Sequence, residues 1–316
     1  MPWSRRPSAA RADAARRRRD EAGGNPTSGS SRPDEIGTRL AASSDRDEAL
    51  PCESPVFICA SGWRSGSTLL QRMCMADPTV MVWGEPLDRC GILQSLAAQW
   101  RPLDGRWPNS RHVLAPDRKP PGVDEWIANL SPPIAALRHA QRRFLDTLFG
   151  EPARAAGRTR WGLKEVRLGL EEIRWLAALF PDARFALLVR DPVAAFESYA
   201  PRGPWFERWP DGPVTTATAF ASMWSRLVAG FLELVEDPRV MLVRYERLES
   251  RCEALALHLD LHLDLNLDRD LAAPSSLERI VGHATIHEDR RATASELRTV
   301  RRHTADLLAR VDAVAG

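Results

Sequence analysis

The chain has 316 residues, with 44 Lys and Arg against 42 Asp and Glu and a formal charge of +2. So even a balance gives no overall field for nucleic acid, and no apolar run approaches the roughly 18–20 residues that span a bilayer. The length suits one substantial core with, at most, an accessory subdomain. Five cysteines, at 52, 59, 74, 90 and 252, form no even set and argue against a disulfide framework.

Residues 1–50 are rich in Arg, Ser, Ala, Asp and Pro without periodicity, which predicts a disordered tail. Arg5, Arg6, Arg11 and Arg16–Arg19 are followed by no apolar stretch, so the tail does not read as a secretory signal. Asp13, Asp20 and Glu21 interrupt it as a basic arm. A cytoplasmic protein is expected. Lys119 and Lys164 are the only lysines among abundant Arg and Ala, which points to a GC-rich bacterial genome and singles out Lys164.

From Val56 onward, apolar runs alternate with helical patterns, which predicts an α/β fold: a parallel sheet flanked by helices on both faces. Val56–Ala60 reads as the first strand, 62–68 as a Gly/Ser turn, and Thr68–Met75 as a helix. At such a turn the backbone N–H groups of Gly66, Ser67, Thr68 and Leu69 would be unpaired and would face an anion. The same residues also fit a plain strand-to-helix turn. A nucleoside-triphosphate loop needs Gly-x-x-x-x-Gly-Lys-Ser/Thr. Here Ser67 stands where that Lys would be, and the cation is Arg64.

Val80–Trp83 reads as a short strand running into GEPL and a helix through about Trp100. Residues 101–123, rich in Pro and Arg, read as an insertion or lid loop. A helix is expected from about Pro132 to Phe149, a strand over Trp161–Lys164, and a helix over Leu170–Phe180 with Ile173, Leu176, Ala177 and Phe180 on one face. Arg184–Val189 is a strand that presents Arg190 and enters a helix carrying Ser198. Thr216–Val235 is a long helix, and Val240–Val243 a strand before RYERL. Residues 255–267 alternate Leu and read locally as a strand, but no element is assigned to them. Ala294–Val314 closes the chain as a helix with Leu297, Val300, Leu307 and Leu308 inward. Cys59 and Cys74 fall on apolar positions as small hydrophobes. His258 and His262, with Asp260 and Asp264, read as a solvated face rather than a metal set.

RSGST at 64–68 and VRDPVAAFESY at 189–199 together resemble the donor-binding motifs of the sulfotransferase family that uses 3'-phosphoadenosine-5'-phosphosulfate (PAPS). The likeness covers roughly residues 55–250. It implies a P-loop-like domain, here 51–316, with PAPS as co-substrate, 3',5'-adenosine bisphosphate (PAP) as product, and no metal. It implies that Arg64, Ser65, Gly66, Ser67, Thr68 and Leu69 hold the 5'-phosphosulfate and that Arg190 and Ser198 hold the 3'-phosphate. Arg202 matches a further Arg of the protein-tyrosine branch or is a loop cation. Tyr245 meets the nucleotide or is a packed strand-end aromatic. Glu85 of WGEPL resembles the family's catalytic base, or is an acid at a helix start beside Pro86. Lys164 of WGLKEVR resembles the Lys that stabilises the transition state, or pairs locally with Glu165. The C-terminal part lacks the Gly-rich, Lys-bearing loop of cytosolic members, and Arg290 and Arg291 are its candidate substitutes.

GEPL resembles the carbohydrate branch, including nodulation-factor sulfotransferases, whereas Arg190, Ser198, Arg202 and Tyr245 resemble the protein-tyrosine branch. Trp100, Trp107, Trp126, Trp205 and Trp209 lie in or beside segments that would cover the site, where indoles stack on sugars. Arg89 is the one cation close after Glu85, a thin surface for an acidic peptide. The expected acceptor is therefore a hydroxyl of a carbohydrate or glycosylated small molecule. The alternatives are a protein-tyrosine sulfotransferase, a P-loop phosphotransferase and a non-catalytic PAP(S)-binding protein.

Overall fold

A computed structural model of the chain describes residues 54–87, 90–103, 108–114, 119–201, 213–262 and 291–315. The tail 1–50, Arg89, Trp107, Arg202, Trp205, Trp209 and Arg290 lie outside the described residues. Among the described residues five strands, β1 (Val56–Ala60), β2 (Val80–Gly84), β3 (Arg160–Glu165), β4 (Arg184–Val189) and β5 (Val240–Arg244), form one sheet in the order β2-β3-β1-β4-β5. Every pairing is parallel.

Successive side chains of a strand point to opposite faces, and both faces of this sheet are covered. Phe57 and Cys59 of β1 join Leu163, Phe185, Leu187 and Val189 in one apolar cluster. That cluster is completed by α5 (Leu170–Leu179) and α7 (Ala217–Leu232). Val56, Ile58 and Ala60 join Ala186, Leu188 and Val243 in a second cluster, under α1 (Ser67–Met75) and α8 (Cys252–Leu259). The expected parallel sheet with helices on both faces is what the chain builds.

Several elements depart from expectation. The helix after β2 starts only at Ile92 and ends at Ala98 (α2), behind Gly91 in the left-handed region. The helix expected up to Phe149 is α3 (Ile134–Leu145), which widens into a single π-turn at Asp146–Gly150 before α4 (Glu151–Ala155). Buried Asp146 receives two 2.9 Å bonds from Arg154, and a Cβ at position 150 would lie 2.1 Å from its carboxylate. The Leu-alternating stretch is helical as far as Leu259. Leu255 and Leu259 are buried on one face of α8, whereas Leu257, which strand alternation would bury, is 85 % exposed. The remainder of that stretch, from 263, is not described.

In the described part of 101–123 the chain is irregular apart from a 3-10 turn at Ser110–His112 and a bridge from Val113 to Ser131. After β4 comes α6 (Pro192–Tyr199), whose first turn is capped by Asp191 through Ala194 N–H at 2.8 Å. The closing helix α9 (Ala294–Val314) starts from a Thr293–Glu296 capping box. It buries Val300 and Val311 in the α5/α7 cluster, with Leu297, Leu307 and Leu308 partly buried beside them. Among the described residues no helix is long and apolar enough to cross a membrane.

Candidate active site

The carboxyl edge of a parallel sheet is where α/β folds collect ligands, and β1, β2, β3 and β4 all deliver polar residues there. Beyond β1, Ser61 N–H donates to Leu188 O at 2.9 Å, which ties the loop to the end of β4. Arg64 and Gly66 then take positive φ values of 66° and 86°. Gly66 precedes α1, and the Tyr245 ring lies on it so closely that a Cβ would sit 2.2 Å from a ring carbon. The N–H groups of Leu69 and Leu70 turn back to Gly66 O at 3.0 and 3.3 Å. Leu69 N–H is therefore not one of the free donors expected there, because the first turn of α1 closes on the loop. The N–H groups of Gly66, Ser67 and Thr68 have no hydrogen-bond partner among the described residues.

The two motifs form one connected structure. Arg190 Nη1 donates to Arg64 O at 2.8 Å, and Arg64 Nε donates to Ser198 Oγ at 3.0 Å. The Arg190 guanidinium also lies 4.7 Å from the centre of the Tyr245 ring, a cation–π contact. Trp224 Nε1 donates to Arg190 O at 3.2 Å, and Asp191 N–H to Glu246 Oε1 at 2.7 Å, which hold the end of β4. Arg190 Nε and Ser65 Oγ are buried with no hydrogen-bond partner among the described residues. Buried polar atoms ordinarily find partners, and a cradle of free N–H groups with an unfinished guanidinium suits anionic oxygens.

Glu85 and Lys164 meet across β2 and β3. Gly84 pairs in register with Lys164, and Glu85 N–H donates to Lys164 O at 2.7 Å, with Glu85 at φ 40°. Lys164 Nζ lies 2.5 Å from Glu85 Oε1, with side chains 5 % and 26 % exposed. Trp63 Nε1 donates to Glu85 Oε2 at 3.2 Å. Two local alternatives fall away. Glu85 is not an acid in a helix's first turn, since α2 begins at Ile92. Lys164 does not pair with Glu165, whose carboxylate is held by Arg167 at 2.8 and 2.9 Å on the buried side. Adjacent strand residues point to opposite faces, so Lys164 and Glu165 were never placed to meet.

Trp63 is the residue that motif reading passed over. Its only signal in the sequence is an aromatic directly before the loop Arg. Trp100, expected to cover the site, is instead buried in the core, where its Nε1 donates to Gln141 Oε1 at 2.7 Å. Trp175 Nε1 shares that oxygen at 2.8 Å. Trp126 is 70 % exposed. His258 is half-buried rather than on a solvated face, with Nε2 facing Phe185 O at 3.2 Å and Arg239 O at 3.1 Å. Two carbonyl acceptors require the proton on that nitrogen. Arg291 is exposed.

A cleft of about 1060 Å³ opens between α2, the start of α5 and α7. Gln94, Ser95, Arg101, Arg167, Glu172 and Arg226 are among its walls. Gln94 Nε2 is buried without a partner among the described residues, and burial pushes the Glu172 carboxyl above the usual carboxylate range.

Comparison with known proteins gives one family and several distant folds. No curated protein matches the chain. The chain is similar to the sulfotransferase domain of the Synechococcus PCC 7002 olefin synthase at 18% identity, covering 86% of this chain and 98% of that one with a TM-score of 0.46. It is similar to the sulfotransferase domain of the curacin biosynthetic pathway at 16% identity, covering 83% and 99% with a TM-score of 0.44. It is also similar to mouse sulfotransferase SULT7A1 complexed with PAP at 12% identity, covering 90% and 91% with a TM-score of 0.44. A family model described as the sulfotransferase family matches residues 55–269, more than half of the chain. The match runs through both strand-end motifs and the β2 and β3 edge between them, and the chain belongs to the sulfotransferase family.

Proposed function

We propose that the protein moves the sulfuryl group of PAPS to a hydroxyl of a carbohydrate or glycosylated small molecule. The observation that carries this reading is the link from Arg190 through Arg64 to Ser198, beside buried Arg190 Nε and Ser65 Oγ that lack partners among the described residues. The N–H groups of Gly66, Ser67 and Thr68, backed by the N-terminus of α1, suit the 5'-phosphosulfate. Arg190 and Ser198 suit the 3'-phosphate, with Arg202 as a further contact, and Tyr245, whose ring lies against Gly66 and the Arg190 guanidinium, is read as a nucleotide contact.

Sulfuryl transfer, like phosphoryl transfer, asks the protein mainly to position groups and stabilise charge. The acceptor oxygen forms a bond to sulfur while the bond from sulfur to the phosphate oxygen of PAP breaks. Glu85 takes the hydroxyl proton, and Lys164 and Arg64 meet the negative charge growing on the leaving phosphate, with no metal in this reading. In the resting site Glu85 and Lys164 neutralise one another. Reaction needs the ammonium to turn to the donor, which frees Oε1 for the proton.

The acceptor is read from the GEPL segment at the end of β2 and from the scarcity of cations close after Glu85, which gives an acidic peptide little to bind. We take 51–316 to act as one domain, 1–50 to be dispensable to it, and the protein to be cytoplasmic. The test incubates the protein and labelled PAPS with parallel panels of oligosaccharides, glycosides and acidic tyrosine peptides. Label on sugars or glycosides is expected. Label on the peptides alone would move the protein to the tyrosine branch.

A further inference from the structure

Trp63 stands between the donor loop and Glu85. Its indole N–H donates to Glu85 Oε2 at 3.2 Å, and its ring stacks on Tyr199 with centroids 6.2 Å apart and planes 21° from parallel. Tyr199 is itself fixed: it is buried, and its hydroxyl donates to Val214 O at 3.2 Å. It follows Ser198 on α6, as Trp63 precedes Arg64 in the loop. The indole is thus braced from the donor side and presents its single donor to the acid.

The two holders of Glu85 differ in what the reaction asks of them. Lys164, on Oε1, must leave when charge grows on the departing phosphate. The indole carries no charge and has one N–H, already directed at Oε2. We infer that Trp63 is the positioning residue of the base: by occupying Oε2 it keeps Oε1 turned toward the acceptor after the ammonium departs. This inference rests on the reading of Glu85 as base.

Trp63→Phe keeps a ring to stack on Tyr199 and removes the donor. A misplaced reacting group costs up to about 100-fold, so turnover should fall roughly 10- to 100-fold while KM for PAPS stays within about twofold. Turnover is followed as PAP formed from PAPS, which counts transfer to any acceptor, water included. A residue acting through Glu85 has nothing left to position once the base is gone. In a Glu85→Gln background Trp63→Phe should therefore cost less than about twofold.

A second readout is the indole 1H–15N resonance of Trp63, identified by its loss in Trp63→Phe, which should move upfield in Glu85→Ala. Should Trp63→Phe fail to fold, 3-benzothienylalanine at position 63 keeps the ring shape and replaces the N–H by sulfur. Equal losses from Trp63→Phe in both backgrounds, or an indole resonance unmoved by Glu85→Ala, would overturn the inference and leave the base reading standing. Wild-type turnover in Glu85→Gln would overturn both.

Discussion

Gly66→Ala tests whether the donor cradle is built as described, without any assay of chemistry. Two costs meet at this position. A non-glycine residue in the left-handed region is less stable by roughly 1–2 kcal/mol, and φ at Gly66 is 86°. The new Cβ would also lie 2.2 Å from the Tyr245 ring, so the ring must move. Overpacking of this kind typically costs about 1–3 kcal/mol, and moving the ring also disturbs the Arg190 guanidinium 4.7 Å from its centre. The sum is about 3 kcal/mol. Chemical denaturation should report it as a lower midpoint at unchanged slope, with PAP affinity falling because Arg190 loses its support. Removing the ring should remove the collision: in a Tyr245→Ala background, Gly66→Ala should cost only about 1–2 kcal/mol, the backbone part. An equal cost in both backgrounds would show that Tyr245 does not lie on Gly66, and the packing of the cradle would be wrong.

Two further outcomes follow from the same contacts. Lys164→Met should cut turnover by more than about 100-fold, since it removes a cation from the growing charge, and should weaken PAPS binding more modestly. It should also lower stability, because a buried partner is taken from Glu85, although the carboxylate's 26 % exposure lets water soften the loss. Unchanged single-turnover rates would remove Lys164 from the chemistry. Burial holds the His258 imidazole below its ordinary 6.5, Arg184 adds to this, and the carbonyls of Phe185 and Arg239 oppose it. A depressed folded-state value means the unfolded chain takes up the proton first. This contribution to stability is therefore present above pH 6.5 and is lost as pH falls through the folded value. Melting temperatures at pH 7.5 and 5.5 should separate less in His258→Gln than in wild type, and an equal separation would refute the role.

The parts legible in the sequence are those with one physical solution. β1 and β4 are continuous apolar runs buried on both faces, and a buried run of that length between turn residues reads as a parallel strand. The Ser67–Met75 helix and the Pro192–Tyr199 helix follow from the residues that end those strands. α8 was illegible because Leu255 and Leu259 are spaced to suit either a strand face or a helix face. Trp100 misled because composition does not distinguish an indole that stacks on a ligand from one whose N–H finds a buried amide, here Gln141. The Glu85–Lys164 pair was open to two local readings, and sheet register decided between them by setting Gly84 beside Lys164. Trp63 carried no motif, and its contact with Glu85 exists only because two strand ends converge.

The proposed ligand of the cradle is a nucleotide phosphorylated at both 3' and 5' positions. The direct measurement is the thermal and calorimetric response to PAP beside that to ATP, in wild type and in Arg190→Ala. At roughly 100 times its dissociation constant a ligand adds about 2.7 kcal/mol to stability. That increment is expected with PAP, little with ATP, and loss of most of the PAP effect in Arg190→Ala. A shift with ATP and none with PAP would contradict it.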